Sequence, residues 1–180
     1  GYEEFQFLQE MEILFTEDMA LYEDPDGKQK LLEEYLGKCM HHVSGNSIRV
    51  DAGELADNLR KKGQWMQEHI RRTEWIEEDE EKGWFNGYYD DHGAALEGIR
   101  GGRAHMMLTG QVFSLMNATA TKEQAQKIIR SAEEHLFDAS CGGYRLNTDF
   151  GEIKTDMGRM FGFAYGEKEN GAVFSHMAVM

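Results

Sequence analysis

The chain has 180 residues, 41% of them hydrophobic, and a formal net charge of −14. A chain of this length and apolar content can build the core of one domain or of part of one, so extended disorder is excluded. The negative charge would repel a phosphate backbone and no apolar run is long enough to cross a bilayer, so we expect neither nucleic acid nor a membrane as a partner.

The first half of the chain is predicted to be helical, with breaks at polar and glycine-bearing stretches. Residues 3–22 space their apolar side chains by three or four, which predicts a helix, and the stretch "EDPDG" ends it. A second helix is predicted at "KQKLLEEYLGKCMHH". After "SGNS" a long helix is predicted to run to about Trp75. Its expected inward-facing residues are Leu55, Leu59, Trp65 and Ile70.

The second half of the chain alternates predicted helices with elaborated loops. The acidic run "EEDEEK" is predicted to be solvated surface, and "GWFNGYYDDHG" is predicted to form a short extended ribbon. Helices are predicted at 103–117 and 121–137, the second opened by the capping-box pattern of Thr121 and Gln124. A long glycine-bearing connection leads to a final helix, and a loop of such length is usually functional.

The cysteines and the chain ends give separate indications. Cys39 and Cys141 are far apart and lack CxxC spacing, which is typical of reduced thiols and predicts a cytoplasmic protein. The chain starts at Gly1 and stops within the apolar run "FSHMAVM", so we expect a fragment of a longer chain. Exposed apolar surface at such an end favours association, which is compatible with a homodimer.

The common metal-binding patterns are excluded by their spacing. The stretch "YEDPDGKQKLLE" has acidic residues at EF-hand positions, but Tyr22 takes the first ligand position and Pro25 stiffens the bend. His41 and His42 are adjacent, so on a helix they cannot both face one ion. No Glu-x-x-His or His-Glu-x-x-His pair occurs. We therefore expect no metal and no cofactor.

Three longer strings carry a more specific signal: "WFNGYYDDHG", "GGYRLNTDF" and "GRMFGFAYGEKENGAVFSH". From about residue 55 to 180 the chain resembles the inverting glycoside phosphorylases of glycoside hydrolase family 94, which include cellobiose and chitobiose phosphorylases, and among them the 1,2-β-oligoglucan phosphorylases. The string "TGQVFSL" stands where members carry a Gln-Ser-Trp motif, with Gln111 matching and Phe113 in place of the tryptophan. Taken alone, a glutamine on a helix such as Gln111 is expected to be solvated.

The resemblance implies an all-α fold for residues 1–180, as part of an (α/α)6-barrel catalytic domain with a short β-ribbon and long active-site loops. The implied enzyme is a glycosyltransferase-type phosphorylase acting on β-linked glucooligosaccharides. Inorganic phosphate, a co-substrate rather than a cofactor, attacks the anomeric carbon from the opposite face and releases α-glucose-1-phosphate. Such a reaction needs a carboxylic acid to protonate the leaving oxygen and donors to hold phosphate.

The resemblance assigns three side chains to the two substrates. Lys168 and Glu169 match family residues that hold sugar hydroxyls near the scissile bond, and charged groups make the stronger hydrogen bonds to hydroxyls. His176 matches the family histidine that contacts phosphate, which an imidazole can do as a donor. We expect these three side chains to converge on one pocket.

Neighbouring residues have implied supporting roles. Asn170 is predicted to hold the turn. Gly171 is predicted to let the backbone pass close to a ligand. Phe163 or Tyr165 is predicted to offer an aromatic face on which a sugar stacks.

The catalytic acid is not identified in this sequence. The family acid is an aspartate in a tryptophan-rich Trp-Asn-Asp-like motif that is absent here, so none of the upstream aspartates is assigned: Asp24, Asp26, Asp51 and Asp57. We expect the acid and a phosphate-binding Thr-Gly pair to lie outside this fragment, which should be inactive alone. Two alternatives stay open: a non-catalytic carbohydrate-binding helical module, and the phosphorylase-like part of a cyclic β-1,2-glucan synthase.

Overall fold

A computed structural model of the chain describes residues 3–151 and 156–178. The chain divides into two compact units, Gly1–Gln67 and Glu68–Met180. All fully buried apolar side chains of the described residues belong to the second unit. The three predicted substrate-binding residues also belong to it, so the second unit is the part that positions the candidate site.

The N-terminal segment of the first unit is a strand rather than a helix. β1 (Glu4–Leu8) pairs antiparallel with β2 (Ser47–Asp51), and Phe7 lies opposite Ile48. The helix predicted at 3–22 is wrong here. The apolar residues of β1 fit the period-two spacing of a strand as well as helical spacing, and pairing with the distant strand β2 favours the strand. The rest of the segment forms a 3-10 turn at Gln9–Phe15 and one helical turn, α1, at Ala20–Glu23.

An aspartate starts the first long helix, α2 (Pro25–Cys39). The Asp24 carboxylate accepts hydrogen bonds from the backbone N–H groups of Asp26 (3.2 Å) and Gly27 (3.1 Å). Pro25 suits the first helical position because the N–H that it lacks would have no partner there. The acidic stretch that resembles an EF-hand loop is therefore a helix cap.

The long helix α3 (Ala52–Thr73) confirms the predicted helix but begins later, because the residues before it belong to β2. The predicted inward residues other than Leu59 are partly buried, whereas Leu59 is 59% exposed, so that assignment is wrong. The buried residue of this helix is Asn58, whose Nδ2 donates to Phe15 O (2.9 Å). The side chain that this part of α3 buries is therefore the amide of Asn58, which has a backbone partner, and not Leu59 as predicted.

Short antiparallel hairpins connect the helices of the second unit. β3 pairs with β4, β5 with β6, and β7 with β8. Its elements, in chain order, are β3 (Trp75–Glu77), β4 (Gly83–Phe85), β5 (Gly98–Arg100), β6 (Arg103–His105), α4 (Leu108–Met116), α5 (Lys122–His135), β7 (Phe137–Asp138), β8 (Gly143–Tyr144), a 3-10 turn (Arg159–Gly162) and α6 (Ser175–Ala178). An all-α fold with one ribbon is therefore wrong in detail: the described residues form helices joined by four two-stranded sheets. Membership of an (α/α)6 barrel stays a prediction.

The predicted ribbon in "GWFNGYYDDHG" is confirmed for its first residues. Trp84 and Phe85 belong to β4, which pairs with the preceding β3. The following turn is closed by the Asp90 carboxylate, which accepts from the backbone N–H groups of His92 (2.9 Å) and Ala94 (2.8 Å). A carboxylate that caps its own turn explains the Asp-Asp-His-Gly sequence.

The hairpin β5–β6 corrects a second helix boundary. A helix was expected from residue 103, but β6 extends to His105 and α4 begins only at Leu108. Gly101 and Gly102 join the strands with φ of 57° and 76°. Two successive positive φ values define a tight hairpin turn that glycine adopts at little steric cost, so the Gly-Gly pair was a hairpin signal.

The acidic run before β4 is only partly solvated. The side chain of Lys82 is 18% exposed and pairs with Glu78 (3.6 Å) and Glu134 (3.0 Å). His135 Nε2 lies 2.8 Å from Glu78 Oε2, and the Glu78 side chain is 17% exposed. The prediction of a fully solvated run is wrong for Glu78 and Lys82, because α5 packs against the hairpin that carries them.

Two buried apolar clusters form the core of the second unit. The larger consists of Trp84, Met106, Leu108, Val112, Leu136, Leu146 and Met177. The smaller consists of Leu96, Phe150, Met157 and Phe161. Together they fix the start of α4 and the glycine-bearing connection after β8, which are the segments that carry the candidate site.

The capping box of α5 yields a test of the fold. Thr121 Oγ1 accepts from Gln124 N–H (3.2 Å), and Gln124 Oε1 accepts from Thr121 N–H (3.1 Å), as the sequence predicts. Thr121→Ala should lower the free energy of unfolding by about 1 kcal/mol, the usual cost of a lost N-cap. Denaturant unfolding measures the change, and Lys122→Ala, an exposed substitution next to the cap, is the control. Equal stabilities of the two variants would contradict a stabilising role for the cap.

Candidate functional site

A tight turn at residues 166–171 carries two of the predicted site residues. Gly166 N–H donates to Asn170 O (2.7 Å) and Asn170 N–H donates to Glu167 O (3.0 Å), so Lys168 and Glu169 stand at its tip. Lys168 has φ of 49°, in the left-handed region that non-glycine residues rarely adopt. A backbone in this conformation persists only where surrounding contacts hold it.

The fully buried Asn147 holds the end of this turn. Its Nδ2 donates to Asn170 Oδ1 (3.0 Å), and its Oδ1 accepts from Gly171 N–H (2.7 Å). Asn170 Nδ2 in turn donates to Phe163 O (2.8 Å). The predicted role of Asn170 in holding the turn is confirmed, and Asn147 is a residue of the site that sequence reasoning missed.

Gly171 is required by a close contact within the chain. Its φ is 73°, and a Cβ added there would lie 2.3 Å from Tyr165 Cε2. No side chain fits at that distance, so only glycine allows the turn to pass the Tyr165 ring. The group that requires glycine here is this aromatic ring, and the predicted close approach of Gly171 to a ligand stays a prediction.

Glu169 and His176 line one cavity of about 490 Å³, which we call the Glu169 cavity. Its remaining walls are largely apolar: Met107, Thr109, Phe113, Leu146, Met160, Phe174 and Met177. Glu169 Oε2 is buried and has no hydrogen-bond partner within the described part of the chain. A buried carboxylate oxygen without a donor is costly, so Glu169 brings an unsatisfied acceptor to the edge of the cavity.

His176 is exposed in the first turn of α6. The centroid of its ring lies 5.7 Å from that of Phe174, which lines the same cavity. A neutral imidazole donates through one ring nitrogen and accepts through the other. The Glu169 cavity thus combines an anionic acceptor with a group that can donate to an oxyanion.

Lys168 is not among the residues that line the Glu169 cavity. Its Nζ lies 4.7 Å from the centroid of the Phe163 ring, which is a cation–π distance. The structure therefore brings two of the three predicted residues, Glu169 and His176, together and places the third on a neighbouring aromatic ring.

The aromatic residues predicted to stack on sugars line a second cavity of about 460 Å³, the Phe163 cavity. Phe163, Tyr165, Asp149 and Asn170 are among its walls. Since Glu169 lines one cavity and Asn170 the other, the turn at 166–171 lies between them. The stacking role of Phe163 or Tyr165 stays a prediction.

Gln111 is buried, so the expectation that it is solvated is wrong. It is 1% exposed; its Oε1 accepts from Phe85 N–H (2.9 Å) and its Nε2 donates to Phe85 O (2.8 Å). The side-chain amide of Gln111 thus satisfies both backbone polar groups of Phe85, a buried residue of β4. Gln111 fixes α4 to the β3–β4 hairpin, which is a structural role for the motif residue.

Glu97 is a second buried residue that sequence reasoning missed. It is 4% exposed, and its two oxygens accept from Gly87 N–H and Met107 N–H, each at 2.8 Å. Burial raises the pKa of this carboxyl to about 8, against the opposing effect of the two backbone hydrogen bonds. Met107 lines the Glu169 cavity, so Glu97 fixes one wall of it. Nothing in "ALEGI" distinguishes this glutamate from a surface residue.

No aspartate lines the Glu169 cavity in the part of the chain that the structure describes. Of the upstream aspartates, Asp24 caps α2, the Asp51 carboxylate accepts from N–H groups at the start of α3, and Asp57 pairs with Arg60. These contacts give them structural roles. The location of the general acid outside this sequence stays a prediction.

Residues 3–151 and 156–178 contain neither a metal-binding cluster nor a membrane-spanning helix. No group of three or more His, Cys, Asp or Glu side chains in these ranges could hold a metal ion. Within the same ranges, no helix has the length and apolar character that crossing a bilayer requires.

Comparison with known proteins matches most of the chain to one family. Residues 46–179 match the glycosyl hydrolase 94 superfamily, catalytic domain. The chain is similar to the solabiose phosphorylase of Paenibacillus borealis, with 27% identity over 93 residues, and to the N,N'-diacetylchitobiose phosphorylase of Vibrio proteolyticus, with 33% identity over 105 residues. These alignments cover 52% and 54% of the chain and 12% of each relative. The chain therefore corresponds to a small share of their length.

The burial of Glu97 predicts a pH dependence of stability. Its pKa of about 8 in the folded protein lies above its ordinary value of 4.5. Between these values the folded state keeps a proton that the unfolded state has released, so the contribution of Glu97 to the free energy of unfolding should fall as the pH rises from about 4.5 to about 8. Glu97→Gln, which cannot ionise, should show a shallower fall in denaturant unfolding over this range.

Glu123→Gln is the matched control for this pH series, because Glu123 is exposed on α5. It should follow the unsubstituted protein at every pH. An equally steep fall in Glu97→Gln would assign the pH dependence to other groups.

Proposed function

The chain belongs to the glycosyl hydrolase 94 superfamily, whose catalytic domain matches residues 46–179, and on this premise we propose that it is part of an inverting glycoside phosphorylase. The observation that carries the proposal is that Glu169 and His176 line one cavity. An acceptor for sugar hydroxyls and a donor for phosphate are what phosphorolysis requires at one place. The two relatives are named as phosphorylases, which supports phosphate rather than water as the attacking group.

In this proposal Glu169 binds a hydroxyl group of the sugar. Its Oε2 is buried without a donor within the described residues, so a ligand hydroxyl would satisfy it. Phe113, in the wall of the same cavity, is 52% exposed and offers a ring face. A sugar ring has hydroxyls around its rim and C–H groups on its faces, and a carboxylate beside an aromatic ring matches both.

His176 contacts inorganic phosphate, and Lys168 binds a further sugar hydroxyl. A phosphate dianion needs donors close by in a chain whose net charge is −14, and an imidazole can supply one or two. Lys168 now lies over the Phe163 ring, from which its flexible stem can swing towards a bound sugar. The role of Lys168 rests on the family resemblance of "GEKENGAVFSH".

The reaction that we propose is the one implied by the family resemblance. Phosphate attacks the anomeric carbon from the face opposite to the leaving oxygen, so the β-glycoside yields an α-sugar-1-phosphate. A carboxylic acid from sequence outside this chain protonates the leaving oxygen. No cofactor takes part. The free thiols of Cys39 and Cys141 support a cytoplasmic location.

The substrate we propose to test first is a 1,2-β-oligoglucan. The names of the two relatives refer to solabiose and N,N'-diacetylchitobiose, so similarity to them does not select one glycoside. The likeness of this sequence to the 1,2-β-oligoglucan phosphorylases makes the β-1,2 linkage the first choice.

A direct assay tests the proposed activity. The full-length protein, incubated with phosphate and 1,2-β-oligoglucan, cellobiose or laminaribiose, should release α-glucose-1-phosphate from at least one of them, and from the 1,2-β-oligoglucan fastest. Oligoglucan binding without any sugar phosphate would instead indicate a carbohydrate-binding module. Formation of cyclic glucan would indicate part of a cyclic β-1,2-glucan synthase.

Substitution of His176 separates the two substrates. His176→Ala in the full-length protein should raise KM for phosphate about tenfold or more, because it removes a hydrogen bond to a charged group, while KM for the glycoside changes less. Initial rates at varied phosphate measure this. His41→Ala is the control, because His41 lies outside the residues that match the family. An unchanged dependence of rate on phosphate would remove the assignment of His176.

A further inference from the structure

We infer that Arg145 and Asn147 are positioning residues for Glu169, and that they act by bonding both backbone polar groups of Gly171, its N–H and its C=O. The inference deepens the proposed function and rests on it, since it treats Glu169 as a sugar ligand. It is carried by hydrogen bonds to Gly171 from Arg145 and Asn147, two residues to which the sequence pattern assigned no role.

Asn147 supplies the acceptor side of this contact. Its Oδ1 receives the Gly171 N–H at 2.7 Å, and its Nδ2 donates to Asn170 Oδ1 at 3.0 Å and to Thr148 O at 2.9 Å. Asn147 is fully buried, so water does not compete for these bonds. An amide satisfied on both ends in a dry environment fixes the position of its partners.

Arg145 supplies the donor side. Its Nη1 donates to Gly171 O at 2.7 Å, while its Nε and Nη2 both donate to Asp138 Oδ2, at 2.8 and 2.5 Å. The pKa of the Asp138 carboxyl is held at about 2, mainly by the Ser140 hydroxyl and then by Arg145, so Asp138 stays ionised over the working pH range. The guanidinium is therefore anchored on one side and bonds Gly171 with the other.

The backbone between these two residues completes the arrangement. Leu146 N–H donates to Ala172 O at 2.9 Å, so residues 145–147 run beside residues 170–172. Tyr165 Oη donates to Asn147 O at 3.1 Å, and its ring fills the space that a side chain at Gly171 would need. Gly171 is thus held by hydrogen bonds at its N–H and at its carbonyl. The Tyr165 ring packs on the side where other residues would carry a Cβ.

This arrangement matters for Glu169 because the carboxylate has little else to hold it. Glu169 lies two residues before Gly171 at the tip of the turn, and its buried Oε2 has no partner within the described residues. The backbone of the turn therefore places the Cα of Glu169, and the surroundings of the buried Oε2 limit where its side chain can lie. A displacement of about 1 Å at a ligand-binding group can cost on the order of a hundredfold in rate, so a loosened turn should impair the use of the glycoside.

The test is a double-substitution experiment in the full-length protein, with phosphorolysis of the preferred glycoside as the readout. Arg145→Lys and Asn147→Ala should each lower kcat/KM for the glycoside by tenfold or more. In a protein that already carries Glu169→Gln, each substitution should lower kcat/KM by a much smaller factor. The carboxylate that Arg145 and Asn147 position is then already absent. Losses that simply multiply in the double variants would overturn the inference.

Ser131→Ala is the matched control for a lost buried hydrogen bond. Ser131 is fully buried and accepts from Gly83 N–H (3.0 Å), in the hairpin that α5 packs against. Its substitution should lower thermal stability and leave kcat/KM for the glycoside within about twofold. A tenfold kinetic loss in Ser131→Ala would show that reduced stability alone explains the effects of the two positioning variants.

Amide hydrogen exchange measures the same contacts without turnover. Exchange at Gly171 should be faster in Asn147→Ala and Arg145→Lys than in the unsubstituted protein and in Ser131→Ala. Exchange that is unchanged in both variants would overturn the inference whatever the activity. An unsubstituted protein that forms no sugar phosphate, yet shows faster Gly171 exchange in the variants, would reject the proposed function and keep the contact.

Discussion

The buried amide of Asn147 is the contact on which the geometry of the candidate site depends. The turn at 166–171 contains a lysine in a left-handed conformation, Lys168. It also contains a buried glycine, Gly171, whose backbone packs against the Tyr165 ring. Both are unfavourable unless the polar groups of the turn are satisfied, and Asn147 satisfies the Gly171 N–H while bonding the side chain of Asn170. Because buried polar groups must be paired, these hydrogen bonds hold the turn. The turn then places Glu169 at its tip.

A second polar network fixes another part of the wall of the Glu169 cavity. Glu97 accepts from the N–H groups of Gly87 and Met107, and Gln111 bonds both polar groups of Phe85. These bonds set where α4 begins and hence where Met107, a wall residue, is placed. Because Glu97 is buried, its protonation changes the stability of this wall with pH. The cavity thus lies between two networks, one that holds the turn and one that holds the start of α4.

The parts of the fold that sequence predicts are those whose partners are local. The capping box of Thr121 and Gln124 joins residues three apart, so its pattern is visible in the sequence and the structure contains it. β1 was missed because its partner β2 lies far along the chain, and the apolar spacing of its residues fits a helix equally well. Gln111 was misjudged for the same reason: the peptide group that it satisfies belongs to a strand 26 residues away. Of the candidate site, the family resemblance named Glu169 and His176, whereas Asn147 and Arg145 emerge only from contacts between distant segments.

The chemistry proposed for the Glu169 cavity explains why its carboxylate should be held by backbone rather than by an ion pair. Phosphorolysis brings a dianion into a cavity that already contains an anionic side chain, so a mobile Glu169 would either repel phosphate or pair with the nearest cation. In the structure the second outcome is avoided, since Lys168 lies over the Phe163 ring and Oε2 of Glu169 has no partner within the described residues. In the proposed reaction, an acceptor whose backbone is already ordered needs less reorganisation when the sugar binds, and His176 is left for phosphate. In the proposed reaction, a rigid turn at Gly171 would keep the carboxylate of Glu169 in place while phosphate binds in the same cavity.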